Sequence, residues 1–241
     1  SFTFNHGLRT ARSCLLNVLE LDLPAGGEFL DQITPQFYAD LVSWGAIGAR
    51  TSESQVQREL ASGLSMPVGF KNATDGNVQV ALDGVRSSAH PHHFLSVTKQ
   101  GVAAIVATRG NEDCHLILRG GSSGPNFSSQ HVDEVVGQLE AAGLPGRVMI
   151  DCSHANSGKN HDVQAEVARK VAGQISDGSH RVAGVMLESF LRDGNQNAEG
   201  LEREKLVHGQ SITDACMSWE RSRPLLDELV GAVRKRRNQE S

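Results

Sequence analysis

The feature that most constrains the fold of this 241-residue chain is a repeated alternation between a short apolar run and a longer stretch of helical periodicity. A short apolar run bounded by Gly, Pro or polar residues is typical of a buried strand, and a helical stretch after it indicates a βα unit of a parallel sheet. Six runs are found, at Leu23 to Asp31, Trp44 to Thr51, Met66 to Asn72, Cys114 to Gly121, Arg147 to Asn156 and Val182 to Ser189. The pattern therefore predicts an α/β fold with six parallel strands.

The stretches between the runs predict helices and one insertion. Apolar spacing and starting residues favour helices at Thr34 to Ser43, Ser52 to Ala61, Ser128 to Ala142 and Leu225 to Arg237. One gap differs because His93 to Val97 and Ala103 to Ala107 are β-like runs on either side of Gly101. We predict a β-hairpin there, at about residues 92–108, inserted into a single domain that spans residues 1–241.

Composition narrows the class of protein. Lys and Arg total 23 against 28 Asp and Glu, and the resulting net charge of −5 argues against a nucleic-acid or membrane-surface protein. The four cysteines lie far apart without the spacing of a zinc or redox motif, which favours a reducing cytoplasm. The sequence has neither a long apolar run nor the features of a signal peptide. We expect a soluble cytoplasmic protein that acts on small molecules.

An ionisable residue stands at or near the carboxyl end of each apolar run. These residues are Glu28, Arg50, Lys71, Arg119, His154 and Glu188. In a βα barrel the carboxyl ends of the strands converge on one face, where active sites are built. The three cations, in Gly-rich or small-residue surroundings, predict a pocket for a small polyanion such as a phosphorylated carboxylic acid. The alternative is three separate salt-bridge partners.

A second set of residues suits a metal ion. His154, Glu188 and Asp214 together offer the imidazole and carboxylate groups that bind divalent manganese, iron, cobalt or zinc. Their spacing is too long for a local metal motif, so the residues alone also permit a hydrogen-bonded core histidine at position 154. The chemistry of the set leaves both interpretations open.

Several long motifs carry a resemblance to a known family. They are LPAGGEFLD, WGAIGARTSESQVQRELASGL, PVGFKNATDG, CHLILRGG, IDCSHANSGK and GQSITDAC. Together they resemble the type I (bacterial and fungal) 3-deoxy-D-arabino-heptulosonate 7-phosphate (DAHP) synthases, over Phe4 to about Arg236. The resemblance implies a metal-dependent transferase with a (β/α)8 barrel, six strands of which lie in this chain, and an added hairpin. Such enzymes condense phosphoenolpyruvate with erythrose 4-phosphate in an aldol-like reaction that releases phosphate and opens the shikimate pathway to the aromatic amino acids.

The resemblance also implies roles for individual residues. Arg50, Lys71 and Arg119 would hold the phosphate and carboxylate of phosphoenolpyruvate, with Ala49 in the backbone wall and Asp214 as a further substrate contact. His154, Glu188 and Asp214 would be three of the four metal ligands. Glu28 would orient a water, and Lys71 and His154 would join it as catalytic residues. The metal would polarise the aldehyde oxygen of erythrose 4-phosphate.

The family is regulated by an aromatic amino acid bound near the hairpin. The matching wall is Pro35, Gln36, Leu64, Ser65, Phe94, Ser96 and Val106. Tyrosine-sensitive relatives tend to carry Gly at the position of Ser96, so the serine favours phenylalanine or tryptophan. A homodimer or homotetramer is the expected assembly.

Two family motifs, a Cys metal ligand and a Lys-Pro-Arg-Thr segment, would precede Ser1. We therefore expect a missing N-terminal segment with two further strands to accompany this chain, since six strands alone leave two edges unpaired. Cys152 shares a strand face with His154, but we interpret it as a buried apolar residue rather than a substitute ligand. Two alternatives stay open: a non-catalytic fragment or paralogue, and a relative that uses arabinose 5-phosphate. The hairpin and the SITDAC string favour the DAHP enzyme.

Overall fold

The computed structural model describes residues 3–200 and 202–239. The strands are β1 (Gly26–Glu28), β2 (Trp44–Ile47), β3 (Val68–Lys71), β4 (His93–Val97), β5 (Ala103–Ala107), β6 (His115–Leu118), β7 (Val148–Asp151), β8 (Val182–Met186), β9 (Ser189–Phe190) and β10 (Met217–Ser218). The α-helices are α1 (Phe4–Leu19), α2 (Gln55–Gly63), α3 (Gln79–Ser88), α4 (Ser129–Ala141), α5 (His161–Ser176) and α6 (Trp219–Gln239). Short 3-10 helices occupy Thr34–Phe37, Ala39–Leu41, His154–Asn156 and Arg203–Lys205.

The main sheet has six strands in the order β1-β2-β3-β6-β7-β8. This is the order along the chain once the hairpin is set aside. Neighbouring strands pair in parallel, for example Gly45 with Val68 and Val148 with Val182. Sequential parallel strands joined through helices are the topology of a singly wound barrel. The predicted fold class, six strands of a (β/α)8 barrel with an inserted hairpin, is confirmed.

The two ends of this strand order are β1 and β8. Within the described part of the chain, β1 pairs with β2 and β8 pairs with β7, and no further strand joins the main sheet at either end. The expected covering of these edges by additional strands stays a prediction. No described helix is long and apolar enough to cross a bilayer.

The residues group into two compact units. The first runs to Ala73 and resumes over Asn77–Leu116, and the second takes Thr74–Gly76 and the described residues from Ile117 on. In the first unit the fully buried side chains include Phe29, Ile47, Val68 and Phe70. In the second, α5 packs against α6, and the buried residues include Val171 and Ile175 of α5 and Leu225 of α6. The single-domain interpretation stays a prediction.

The local predictions differ in outcome. The hairpin has the predicted bounds, with Ser96 opposite Ala104, and α4 begins after Ser128, whose hydroxyl accepts a hydrogen bond from the His131 amide. Helix α2 begins later than predicted because Thr51 and Ser54 form a turn. The C-terminal helix begins earlier, at Trp219.

The predicted helix at Thr34 to Ser43 is wrong. The segment forms two 3-10 turns, because Tyr38 has a φ of −147° that no helix accommodates. Tyr38 stacks its ring on Phe29, with the ring centroids 6.1 Å apart. Packing against the core thus overrides the helical periodicity of this short segment.

The close packing of Gly84 against Phe70 in the first unit leads to a prediction about stability. A methyl group on Gly84 of α3 would lie 2.7 Å from Cδ1 of Phe70, a ring that is fully buried. Because the ring has no room to move, Gly84→Ala should lower the free energy of unfolding by about 1–3 kcal/mol. Urea unfolding followed by circular dichroism measures the change.

The control is Gly137 of α4, around which a methyl group would meet no atom within 4 Å. Gly137→Ala should raise the free energy of unfolding by about 0.5–1 kcal/mol, because only the helical preference changes. Stabilisation by both substitutions would contradict the packing argument.

Candidate active site

The three predicted metal ligands lie close together in the second unit. One ligand atom each from His154, Glu188 and Asp214 lies within 4.8 Å of the others, and His154 Nε2 is 3.6 Å from Glu188 Oε1. All three side chains are half-buried. One imidazole and two carboxylates form a donor set that fits a divalent transition metal ion.

Each ligand is held by a different element. His154 opens the 3-10 turn after β7 and has a φ of 48°, a left-handed conformation that non-glycine residues rarely adopt. Glu188 follows β8, and its amide donates to Gln164 Oε1 at 2.9 Å. Asp214 precedes β10, and its carboxylate lies 3.4 Å from Nζ of Lys159. Since that ion pair is largely exposed, it contributes little stability and leaves Asp214 available.

A buried amide fixes the turn that carries His154. Nδ2 of Asn156 donates to the backbone oxygens of Leu118 and Asp151, at 3.1 and 2.8 Å, and Oδ1 accepts from the Asn126 amide at 2.8 Å. The Asn156 side chain therefore joins the ends of β6 and β7 to a third segment. Buried amides with every bond made hold a backbone in one conformation.

The same turn holds Arg119. Its carbonyl oxygen accepts from the amides of Ala155 and Asn156 at 3.1 and 3.3 Å, and Arg119 is only 8% exposed. The next residue, Gly120, has a φ of +71°, and a Cβ there would lie 2.7 Å from the Asn156 amide nitrogen. Only glycine permits this approach. Arg119, predicted to bind phosphate, is thus joined by backbone hydrogen bonds to the turn that carries His154, a predicted metal ligand.

The first unit contains the other predicted substrate residues. The Ser52 hydroxyl donates to the Lys71 carbonyl at 2.6 Å and lies 3.1 Å from the carbonyl of Gly48. This hydroxyl ties the end of β2 to the end of β3. Ala49 and Arg50 lie in the turn after β2, Ala49 half-buried and Arg50 exposed.

Glu28 is the last residue of β1 and is exposed. Its carboxylate lies over the backbone of Gly48, in the space that a Cβ would fill. The structure thus brings Glu28 beside the turn that carries Ala49 and Arg50, within the first unit.

A cavity of about 210 Å³ lies beside the hairpin in the first unit. Six of the seven residues predicted to bind an inhibitor line it: Pro35, Gln36, Leu64, Ser65, Phe94 and Val106. Ser96 is not part of the lining; its hydroxyl donates to the Gln32 carbonyl at 3.0 Å. The inhibitor role of all seven stays a prediction.

Two charged residues in this cavity were not predicted from the sequence, Asp40 and Lys99. The Arg12 guanidinium donates to both oxygens of Asp40, at 2.7 and 2.8 Å, and these bonds lower the pKa of Asp40. Neither residue stands at a strand end, so no pattern in the sequence marks them. Only the fold places them together.

Asp151 is the other residue that sequence reasoning missed. It is the last residue of β7, fully buried, and its Oδ2 lies 2.9 Å from His154 Nδ1. The sequence did offer a signal for its role: Asp151 is a carboxylate at the end of an apolar strand, three residues before the candidate ligand His154. Between them, Cys152 is fully buried, and burial together with the neighbouring Asp151 charge raises its pKa to about 12. A thiol held in its protonated form is a poor metal ligand.

The fold and the site define a parallel α/β protein with a candidate metal centre at the carboxyl ends of its strands. A model of the DAHP synthetase I family matches residues 4–227. The tyrosine-inhibited phospho-2-dehydro-3-deoxyheptonate aldolase of Schizosaccharomyces pombe is 55% identical, over 100% of this chain and 66% of the relative. The Phe-sensitive enzyme of that name from Escherichia coli K12 is 58% identical, over 98% of this chain and 67% of the relative.

A solved structure agrees with these matches. The phospho-2-dehydro-3-deoxyheptonate aldolase of Francisella tularensis SCHU S4 is 52% identical and superposes with a TM-score of 0.94, over 98% of this chain and 68% of that chain. This chain belongs to the DAHP synthetase I family. It spans about two thirds of the length of the curated relatives it matches.

Proposed function

We propose that this chain carries the catalytic residues of a DAHP synthase, which condenses phosphoenolpyruvate with erythrose 4-phosphate and releases phosphate in the first step of the shikimate pathway. The observation that carries the proposal is the His154, Glu188 and Asp214 cluster, linked through one rigid turn to the buried Arg119. Membership of a family whose relatives are named phospho-2-dehydro-3-deoxyheptonate aldolases supports it. We place the protein in the cytoplasm, in keeping with its free cysteines.

We assign phosphoenolpyruvate binding to three cations at or near the carboxyl ends of strands of the main sheet. Arg119 and Arg50 each present a planar fork that matches phosphate or carboxylate oxygens, and Lys71 adds a compact positive charge. Ala49 completes the wall with its backbone, and Asp214 contacts the second substrate. The rigid support of Arg119 favours binding, because a pre-oriented guanidinium loses little freedom when the anion arrives.

In the proposed reaction, a carbon–carbon bond forms between C3 of phosphoenolpyruvate and the aldehyde carbon of erythrose 4-phosphate. Lys71 donates a proton to the aldehyde oxygen as it becomes a hydroxyl. Glu28 orients a water that adds to C2 and gives one proton back to Lys71. The bond between C2 and the phosphate oxygen then breaks, the hydroxyl on C2 becomes the carbonyl, and its proton leaves with the phosphate. A manganese, iron, cobalt or zinc ion held by His154, Glu188 and Asp214 supplies Lewis-acid chemistry when bound.

We also propose that the cavity beside the hairpin binds an aromatic amino acid. Apolar walls at Leu64, Phe94 and Val106 suit an aromatic ring, and Lys99 and Asp40 suit the carboxylate and ammonium groups. The two curated relatives named above differ in their inhibitor, so we base the choice on Ser96 and favour phenylalanine or tryptophan.

An exposed apolar pair on the hairpin supports the expected homo-oligomer. Leu95 and Ile105 face each other across the hairpin and are 78% and 73% exposed. An apolar pair this exposed indicates a surface that is covered in an assembly. We propose a homodimer or homotetramer that covers it.

The function is tested by phosphate release from phosphoenolpyruvate and erythrose 4-phosphate. Protein stripped with a chelator should be inactive, and added manganese should restore turnover, because the proposed reaction needs the Lewis acid that His154, Glu188 and Asp214 would hold. Turnover that is unchanged after the metal has been removed would contradict the metal assignment. Folded protein that neither binds phosphoenolpyruvate nor turns it over would contradict the function.

Arg119→Ala should weaken phosphoenolpyruvate binding by about 10- to 100-fold, because it removes charge-assisted hydrogen bonds to the anion. Calorimetric titration measures the affinity, and circular dichroism checks the fold. Arg181→Ala is the control, since Arg181 forms a surface ion pair with Asp133. Equal affinities for both variants would refute the role of Arg119.

Ser96→Gly should increase the affinity for tyrosine relative to phenylalanine, because it removes the hydroxyl that lies at the Gln32 carbonyl beside the cavity. Titration with the three aromatic amino acids measures the change. Ala103→Gly, on the exposed face of the same hairpin, controls for the cost of glycine in a strand. Tyrosine preference in the unaltered protein would contradict the assignment.

A further inference from the structure

A buried carboxylate lies directly behind the candidate metal ligand His154. Asp151 is fully buried, and polar groups of Ser153 and His154 lie against its two oxygens. Oδ1 accepts from the Ser153 amide at 2.9 Å and from the Ser153 hydroxyl at 2.6 Å, and Oδ2 lies 2.9 Å from His154 Nδ1. A buried carboxylate needs such partners, and here one of them is a ring nitrogen of the ligand itself.

These contacts determine which nitrogen of the imidazole carries the hydrogen. The Ser153 hydroxyl has one hydrogen, and it is donated to Asp151. The His154 Nδ1 atom lies 2.7 Å from that hydroxyl oxygen and 2.9 Å from Asp151 Oδ2, so both neighbours act as acceptors toward it. In the tautomer that these contacts favour, Nδ1 carries the hydrogen, and the lone pair on Nε2 is left for a metal ion.

The Nε2 atom lies on the side of the ring that faces Glu188. Nε2 is the His154 atom that lies 3.6 Å from Glu188 Oε1, while Nδ1 faces Asp151. His154 has a φ of 48°, and its carbonyl accepts a 2.6 Å hydrogen bond from the Lys159 amide, but these backbone features do not set the rotation of the ring. A specific partner for the ring is needed to fix its direction.

We propose that Asp151 is a positioning residue that fixes the tautomer and the direction of the His154 ring, so that Nε2 is the metal-binding atom. The proposal rests on the metal site proposed above. Carboxylates behind metal-binding histidines act in this way and raise the basicity of the ligand. Asp151 is joined to the same turn a second time, because its backbone oxygen accepts from Asn156 Nδ2.

Asp151→Asn tests the proposal with almost no change of shape. The Ser153 amide and hydroxyl both donate to Oδ1, so the new side chain keeps its oxygen there and turns its NH2 group toward His154. Nδ1 then accepts a hydrogen bond, and the hydrogen of the ring moves to Nε2. That tautomer has no lone pair for the metal.

Two measurements follow. In metal-free protein, long-range 1H–15N spectra of the imidazole, assigned with a His154→Gln variant, should show hydrogen on Nδ1 in the unaltered chain and on Nε2 in Asp151→Asn. Manganese affinity, measured by calorimetry, should fall about 10- to 100-fold. Ser153→Ala keeps the carboxylate behind the ring and should lose less affinity, and Asp133→Asn, an exposed aspartate, should lose none.

Several results would overturn the proposal. One is hydrogen on Nε2 in the unaltered protein, a measurement that holds even if Asp151→Asn does not fold. Another is equal manganese affinity in folded Asp151→Asn and the unaltered chain. A loss in Ser153→Ala as large as that in Asp151→Asn would assign the role to the hydroxyl. If the unaltered protein binds no manganese, the metal site is wrong, and the imidazole spectra alone decide whether Asp151 sets the tautomer.

Discussion

The turn that carries His154 depends on one buried amide side chain, that of Asn156. Its three hydrogen bonds join the ends of β6 and β7 to the segment at Asn126, and its backbone amide donates to the Arg119 carbonyl. Water cannot replace these bonds, because Asn156 is only 3% exposed. The turn is therefore rigid, and the two groups it carries, His154 and Arg119, keep a fixed relation. A site that must hold an anion and a cation close together needs this kind of rigidity.

Near the site residues of each unit, glycines let neighbouring atoms come closer than any side chain would allow. In the second unit, Gly121 lies so close to Gly76 that a Cβ on Gly121 would overlap the Gly76 backbone. In the first unit, Gly48 leaves the space that the Glu28 carboxylate occupies. Gly121 and Gly48 are required because a Cβ would overlap these neighbouring atoms, and Gly76 also has a φ of +102°, which favours glycine.

The short segment that follows β1 also forms part of the wall of the cavity beside the hairpin. Asp31, three residues after Glu28, accepts hydrogen bonds from the Ile33 amide and from both the amide and hydroxyl of Thr34. Burial raises the pKa of Asp31, but these bonds outweigh it and lower the pKa below the ordinary value. The segment that ends β1 is thereby fixed as a turn, and Gln32 within it lines the cavity. One short segment thus connects a proposed catalytic carboxylate with a proposed regulatory pocket.

The sequence by itself determined the six strands, the hairpin and the residues at the strand ends, because these depend on local periodicity and on long motifs. It also marked His154, Glu188 and Asp214 as a possible ligand set, although their spacing alone left a core histidine equally open. Only the tertiary structure decided that their ligand atoms come within 4.8 Å of one another, that the Asp151 carboxylate lies 2.9 Å from the His154 ring, and that Asp40 and Lys99 line the cavity. It also replaced a predicted helix by 3-10 turns, through the packing of Tyr38 on Phe29. The physical reason is that periodicity reports which face of an element is buried, whereas hydrogen bonds and packing between distant residues depend on how the elements are placed.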